Sequence, residues 1–331
     1  MKYSLNQAWD DDLKKLRFGV FLPFYAFENR ITDSTALFER IKKVAVACES
    51  LGYDGVWLDD HLMFKDFPIL ECWTTLSALS CVTSRIHVGT MVTCNSFRAP
   101  SLLAKMAATV DVISKGRLEL GMGACAQEEE HVSYGFEFPN AAVRLERLGE
   151  AVEVIKRLWS LEKASFQGKY YKLQNAVCEP KPLQKPHPPL VIGGSGEKRT
   201  LRLVAQYSNR FDWGFVQSFE AYRDKLRLLE AYCREIGRNP KEIEKACWPG
   251  SQVLTSPDPE DLRELVRKVK PAGISMEEFK KTSLVGTPDE CVTRLKEYLK
   301  LGVTYFMLYF GDLPSTTSME VFAEFVIKKL S

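Results

Sequence analysis

The chain has 331 residues, of which 45% are hydrophobic and 27% charged, and its formal net charge of +2 comes from intermixed signs. This is the composition of an ordinary globular protein, and no apolar run approaches the roughly 20 residues of a membrane span. The acidic Asp10-Asp11-Asp12 start is unlike a secretory signal, and no basic-aromatic stripe offers a nucleic-acid surface, so a cytoplasmic protein with neither membrane nor nucleic-acid partner is expected.

Residues 1–16 read as an N-terminal extension. The run from Arg17 to Pro23 is a first strand stopped by proline. After Asp33-Ser34, good capping residues, the spacing of Leu37, Ile41, Val44, Cys48 and Leu51 marks one buried helical stripe that Gly52 ends. A second strand follows at once in Val56-Trp57-Leu58. The polar Asp59-Asp60-His61 behind it must face a mouth or a pocket.

The strand-then-helix unit repeats, with a strand over 86–93 and a helix over 101–113, then a strand over 117–123 and a long helix carrying Leu148, Val152, Ile155 and Trp159. The segment around 160–190 breaks the rhythm: residues 166–171 suggest a small hairpin, and five prolines between Pro180 and Pro189 suggest an extended excursion. Further strands are expected over 190–193, 211–215, 246–254 and 305–310, with a helix over 197–207. Eight such units imply a parallel sheet closed into a single (β/α)8 TIM barrel over 1–331, with an insertion at 160–190.

Several motifs carry more than one reading. Gly121-Met122-Gly123-Ala124-Cys125-Ala126 fits a dinucleotide fingerprint, G-x-G-x-x-A, but it lies in the fourth unit, and tight packing at a strand-to-helix corner explains its glycines as well. Gly193-Gly194-Ser195-Gly196 precedes a helix whose first turns hold Lys198, Arg199 and Thr200, an arrangement that suits either a phosphate or a simple cap. Gly89 to Asn95 ends the third strand with small and polar residues that either meet the edge of a planar cofactor or simply end the strand in a polar loop. Glu128-Glu129-Glu130-His131 opens a helix where acids complement the dipole, and His131 and Tyr134 could share a face. His61 is either a hydrogen-bonded structural histidine or a proton-handling group. Lys181 to Lys185 reads as a solvated loop. Nine cysteines stand singly, without CxxC or zinc-finger spacing, which suits a reducing compartment and no metal.

Together the runs Leu51-Gly52-Tyr53-Asp54, Val56 to Leu62, Glu71 to Leu76, Thr83-Ser84-Arg85-Ile86, Ala104 to Thr109, Gly116-Arg117-Leu118, Gly168 to Tyr171, Lys185 to Pro189 and Ile192 to Gly196 resemble the luciferase-like monooxygenase superfamily, in its branch of F420-dependent oxidoreductases. The resemblance implies a barrel holding coenzyme F420, or alternatively FMN, at the C-terminal ends of its strands. A third-strand bulge, often with a non-proline cis peptide, would fall at Met91-Val92. Thr93, Asn95 and Tyr134 would join Met91 and Val92 as cofactor contacts, with Gly193, Gly194, Ser195 and Gly196 at its phosphate.

His61 is then the candidate acid or base, oriented by Asp60, with Glu129 or His131 in reserve. Phe24, Phe64, Trp73 and Trp213 would shape the substrate pocket, or could be core. The implied activity is hydride transfer between F420 and a small organic substrate. An FMN-dependent two-component monooxygenase and a non-catalytic cofactor-binding protein are the alternatives. Relatives imply a homodimer and a flavin or F420 reductase as redox partner. Two departures from the pattern bear on the pocket: Cys125-Ala126 replaces a common Gly-Trp, and Ser208 to Trp213 differs from the usual Ala-Asp-Gly-Trp-Asn.

Overall fold

A computed structural model describes residues 15–24, 34–65, 67–215 and 218–330. Most of the N-terminal extension, and the capping Asp33, lie outside these residues. The strands in chain order are β1 (Arg17–Phe21), β2 (Gly55–Leu58), β3 (His87–Thr90), β4 (Thr93–Cys94), β5 (Leu118–Gly123), β6 (Ala164–Gln167), β7 (Lys172–Ala176), β8 (Leu190–Gly193), β9 (Arg210–Phe215), β10 (Glu244–Trp248), β11 (Val253–Thr255), β12 (Leu284–Gly286) and β13 (Tyr305–Leu308). The helices are α1 (Ser34–Leu51), α2 (Cys72–Val82), α3 (Pro100–Ile113), α4 (Glu128–Ser133), α5 (Ala141–Ser160), α6 (Thr200–Tyr207), α7 (Phe219–Glu235), α8 (Pro259–Val269), α9 (Met276–Thr282), α10 (Pro288–Leu299) and α11 (Thr317–Phe322).

β1, β2, β3, β5, β8, β9, β10 and β13 pair in parallel, and the contact between β3 and β5 closes the ring, giving the expected (β/α)8 barrel. Register is continuous from Gly19 opposite Gly55, through Gly55 opposite His87, to Val88 opposite Leu118. Helices cover the outside because their apolar stripes have nowhere else to bury. In α1 those residues are Leu37, Ile41, Val44, Ala45 and Cys48, the stripe read from the sequence with Ala45 added and Leu51 only partly buried.

Three expectations are corrected. The strand expected over 86–93 is split into β3 and β4 by a cis peptide between Met91 and Val92, at the position the resemblance implies. The strand expected over 246–254 is two strands: β10 belongs to the barrel, whereas β11 leaves it and pairs with β12. Trp248-Pro249-Gly250 separates them, since proline cannot donate to a ladder. The helix expected from 197 begins at Thr200. In the insertion, β6 and β7 form the expected antiparallel hairpin.

The barrel's N-terminal end is filled by an ionic cluster that hydropathy could not foresee. Arg17, Glu119, Arg210, Glu244 and Tyr305 each occupy the first or second position of a strand, and each is at most 3% exposed. Arg210 pairs with Glu119 at 2.7 Å and with Glu244 at 2.5 Å, and Arg17 reaches Glu244 at 2.8 Å. Trp57 Nε1 donates to Tyr305 Oη at 2.7 Å, while the Arg210 guanidinium lies 3.7 Å from the Tyr305 ring centroid. Paired charges here replace the apolar layers of many barrels and leave the opposite end open for a site.

Candidate functional site

At the C-terminal strand ends a cavity of about 750 Å³ opens. Its walls come from the ends of six barrel strands and the loops behind them: Asp60 and His61 after β2, Met91 and Val92 after β3, Gly123 to Gln127 at and after β5, Gly193 to Gly196 at β8, Asp212 to Gly214 in β9, and Trp248 in β10. Phe97, Glu130, Arg144, Leu145 and Thr200 complete much of the lining.

The third-strand bulge decides the shape of this floor. A methyl added at Gly123 would meet Val92 Cγ2 at 2.6 Å, and one added at Gly121 would meet the Thr90 carbonyl oxygen at 1.9 Å. The G-x-G-x-x-A run is therefore packing for the bulge, and the dinucleotide reading is set aside. Thr93 is fully buried and donates to Thr90 Oγ1 at 2.9 Å; Asn95 is buried and donates to Tyr171 Oη at 3.3 Å. Neither is among the residues that line the cavity. Met91, Val92 and Gly193 to Gly196 do line it.

His61 does face the cavity, but its partner differs from the expected one. Its Nδ1 lies 3.0 Å from Oε2 of Glu130, a carboxylate only 3% exposed. The other Glu130 oxygen accepts from the backbone N–H groups of Leu62 and Met63, the latter at 3.2 Å. Tyr134, itself exposed, donates its hydroxyl to the Leu62 carbonyl at 3.0 Å, so it holds this loop and does not line the cavity. Glu129 points to solvent. One turn of α4 thus fixes both the loop and the imidazole, through the acid next to the one expected.

Asp60 is engaged elsewhere. Its carboxylate takes a two-pronged contact from Arg98, at 2.6 and 3.0 Å, and accepts the Cys94 backbone N–H at 2.8 Å. It clips β2 to β4, and orienting His61 falls to Glu130. Asp59 accepts from the Phe24 backbone N–H at 3.1 Å, and burial raises its carboxyl to about 6, opposed by the nearby His61.

The expected pocket aromatics divide. Trp213 lines the cavity and stacks on Tyr222, with ring centroids 6.1 Å apart, while Phe64 sits 6.0 Å from the His61 ring. Phe24 and Trp73 are no more than 1% exposed and belong to the main core. His131 is also fully buried, with Nδ1 2.7 Å from the Gln127 carbonyl oxygen, and does not line the cavity as a reserve acid or base would.

Two features were missed. Asp212 is 2% exposed and lines the cavity; its Oδ1 accepts from Trp248 Nε1 at 2.9 Å and from the Gly214 N–H at 2.8 Å. Among the described residues its Oδ2 has no hydrogen-bond partner, and burial pushes its carboxyl up. An orphaned buried oxygen on a cavity wall is a ready place for a ligand donor. Cys94 and Cys125, read singly along the sequence, form a disulfide that lines the same cavity. Neither pairing has a local spacing signal, because both join separate strand ends.

Residues 16–275 match the luciferase-like monooxygenase family. The chain is 28% identical over 312 residues to the F420-dependent glucose-6-phosphate dehydrogenase of Microbacterium testaceum, covering 86% of this chain and 91% of that protein. It is 26% identical over 319 residues to the protein of the same description from Amycolatopsis mediterranei, covering 86% and 92%. Among solved structures, monooxygenase RslO1 from Streptomyces bottropensis superposes with a TM-score of 0.80 at 19% identity, covering 96% of this chain and all of that one. An F420-dependent secondary alcohol dehydrogenase in complex with an F420–acetone adduct superposes with 0.78 at 22%, covering 95% and 98%.

Proposed function

The chain belongs to the luciferase-like monooxygenase family, and from that premise we propose that it is an F420-dependent oxidoreductase acting on a hydroxyl-bearing small molecule, with sugar phosphates the first class to test. The observation that carries this reading is the His61–Glu130 pair, held at 3.0 Å on the wall of a cavity whose floor is the Val92 bulge. The curated relatives above, matched over nearly their whole length, are named for the same cofactor and for a sugar phosphate.

The cavity residues fit such a cofactor. Gly193, Gly194, Ser195 and Gly196 leave backbone open where a phosphate would rest, Met91 and Val92 offer an apolar platform for a flat ring, and the orphaned Asp212 Oδ2 offers an acceptor to a polar group. When bound, F420 supplies the hydride chemistry. With Nδ1 committed to Glu130, Nε2 of His61 is left to take up or return the substrate hydroxyl proton. Glu130 stabilises the imidazolium that results. Arg144, whose Nε and Nη1 donate to the Ala124 and Pro139 carbonyls, lines the cavity and is a cation that a substrate phosphate could meet there.

The test is binding and then turnover. F420 and FMN are titrated separately into the purified protein, and turnover is followed by F420 absorbance with glucose 6-phosphate and with secondary alcohols. Tight F420 binding, and His61→Ala lowering turnover about 10²- to 10⁴-fold while leaving cofactor affinity nearly unchanged, is expected. Binding of FMN but not F420 would remove the proposal in favour of the monooxygenase alternative.

A further inference from the structure

Cys94, Cys125 and His131 are brought together from β4, the loop after β5 and α4. Among the described residues, they are the group of metal-ligating side chains whose donor atoms all lie within 4.8 Å of one another. We infer that, when its two sulfurs are reduced, this trio is a binding site for a soft divalent cation of the Zn²⁺ class.

Four observations carry the inference. Two thiolates and one imidazole are a donor set that zinc takes in sites with an open fourth position, whereas carboxylate-preferring Mg²⁺ and Ca²⁺ are disfavoured. His131 is already set as a ligand: Nδ1 lies 2.7 Å from the Gln127 carbonyl, which fixes Nδ1 as the protonated nitrogen of the neutral ring and leaves the Nε2 lone pair toward Cys94 Sγ, 3.6 Å away. A backbone acceptor on the far nitrogen is the usual support of a metal-bound imidazole. The ring is also packed by Phe97 and Phe138, with centroids 4.9 and 4.8 Å away, so little of its freedom remains to be lost on binding. Finally, Cys94 and Cys125 line the cavity, which supplies both an entry path and a side from which a fourth ligand can come.

In the structure the two sulfurs are joined as a disulfide, so the cation site and the bridge are alternative states of the same atoms. Passing from one to the other takes two electrons and two protons. A small-molecule thiol supplies them by attacking one sulfur, releasing the other, and leaving as its own disulfide when a second thiol attacks. The cation then displaces the two thiol protons. The proposal concerns this chain's own residues and does not depend on which cofactor occupies the cavity.

The experiment titrates Co²⁺, as a spectroscopic stand-in for Zn²⁺, into the full-length protein after reduction and removal of the reductant. A parallel sample is oxidised with diamide and its thiols counted. The reduced protein is expected to bind one Co²⁺ per chain with thiolate-to-cobalt charge-transfer absorption, displaced by Zn²⁺, and the oxidised protein to show none. Cys94→Ser and Cys125→Ser should each abolish the band, and His131→Gln should weaken binding about tenfold or more, with circular dichroism confirming the fold of each. Absence of a one-equivalent band in the reduced wild-type protein overturns the proposal. So does a band that persists in Cys94→Ser, which would assign it to other cysteines.

Discussion

At the scale of single residues, the carboxylates near the cavity differ in what they touch. Glu130 serves the loop through two backbone N–H groups and the imidazole through one oxygen, so Glu130→Gln keeps an acceptor but removes the carboxylate that His61 Nδ1 meets. Turnover is expected to fall about tenfold to a hundredfold while cofactor affinity and thermal stability change little, as steady-state kinetics beside calorimetry would show. Asp60 is the reverse case. Its side chain is fully buried against Arg98, so Arg98→Ala leaves a charge without its partner and should cost about 3–5 kcal/mol in urea unfolding. His61 is legible in the sequence because an imidazole directly after a buried strand is conspicuous. A helix start rich in acids does not say which one turns inward, so Glu129 and Glu130 are not told apart by sequence, and the resemblance that pairs Asp60 with His61 does not show that Asp60 is held by Arg98.

At the scale of elements, the β3–β4 bulge and the glycines of β5 form one fitted joint. Gly123→Ala should destabilise by about 1–3 kcal/mol, because the new methyl and Val92 Cγ2 cannot share 2.6 Å. Adding Val92→Ala should recover part of that loss, so the double variant is less destabilised than the sum of the singles. Equal additivity in denaturant melts would show that the joint is not where the strain falls. The stretch leading out of the insertion makes its own prediction. Burial pushes the His187 imidazole, which packs 6.1 Å from the Trp159 ring, down to about 4 from an ordinary 6.5. Between those values the unfolded chain binds the proton and the folded chain does not, so stability is full above about 6.5 and declines as pH falls toward about 4. The decline attributable to this group is about 3 kcal/mol, and a His187→Gln variant should show a flatter profile over that window.

At the scale of the whole molecule, the barrel carries opposite chemistry at its two ends. The N-terminal end is closed by Arg17, Glu119, Arg210 and Glu244, none more than 3% exposed, while the C-terminal end keeps the cavity. Burial disfavours the charge on Glu119, but Arg210, His87 and Arg17 more than offset it and hold the carboxyl far below the usual range. Arg210→Met strips both Glu119 and Glu244 of a partner and should destabilise by about 3–5 kcal/mol or more, with a larger effect at neutral than at acidic pH, where protonation of the orphaned acids relieves part of the cost. Thermal unfolding at several pH values would measure it. None of the described helices is long and apolar enough to cross a membrane.

The alternation of apolar strand and amphipathic helix was sufficient to specify a closed parallel barrel, because each unit has one way to bury its apolar face. The same order placed His61, Met91-Val92 and Gly193 to Gly196 at one rim, since every strand of such a barrel ends on the same side. What the order of residues could not carry is which side chains meet across that rim. His61 with Glu130, Asp60 with Arg98, Cys94 with Cys125 and His131, and Arg210 with its two acids are all contacts between different strands or loops. Their distances depend on barrel closure, and closure is a property of the assembled sheet that no local periodicity contains.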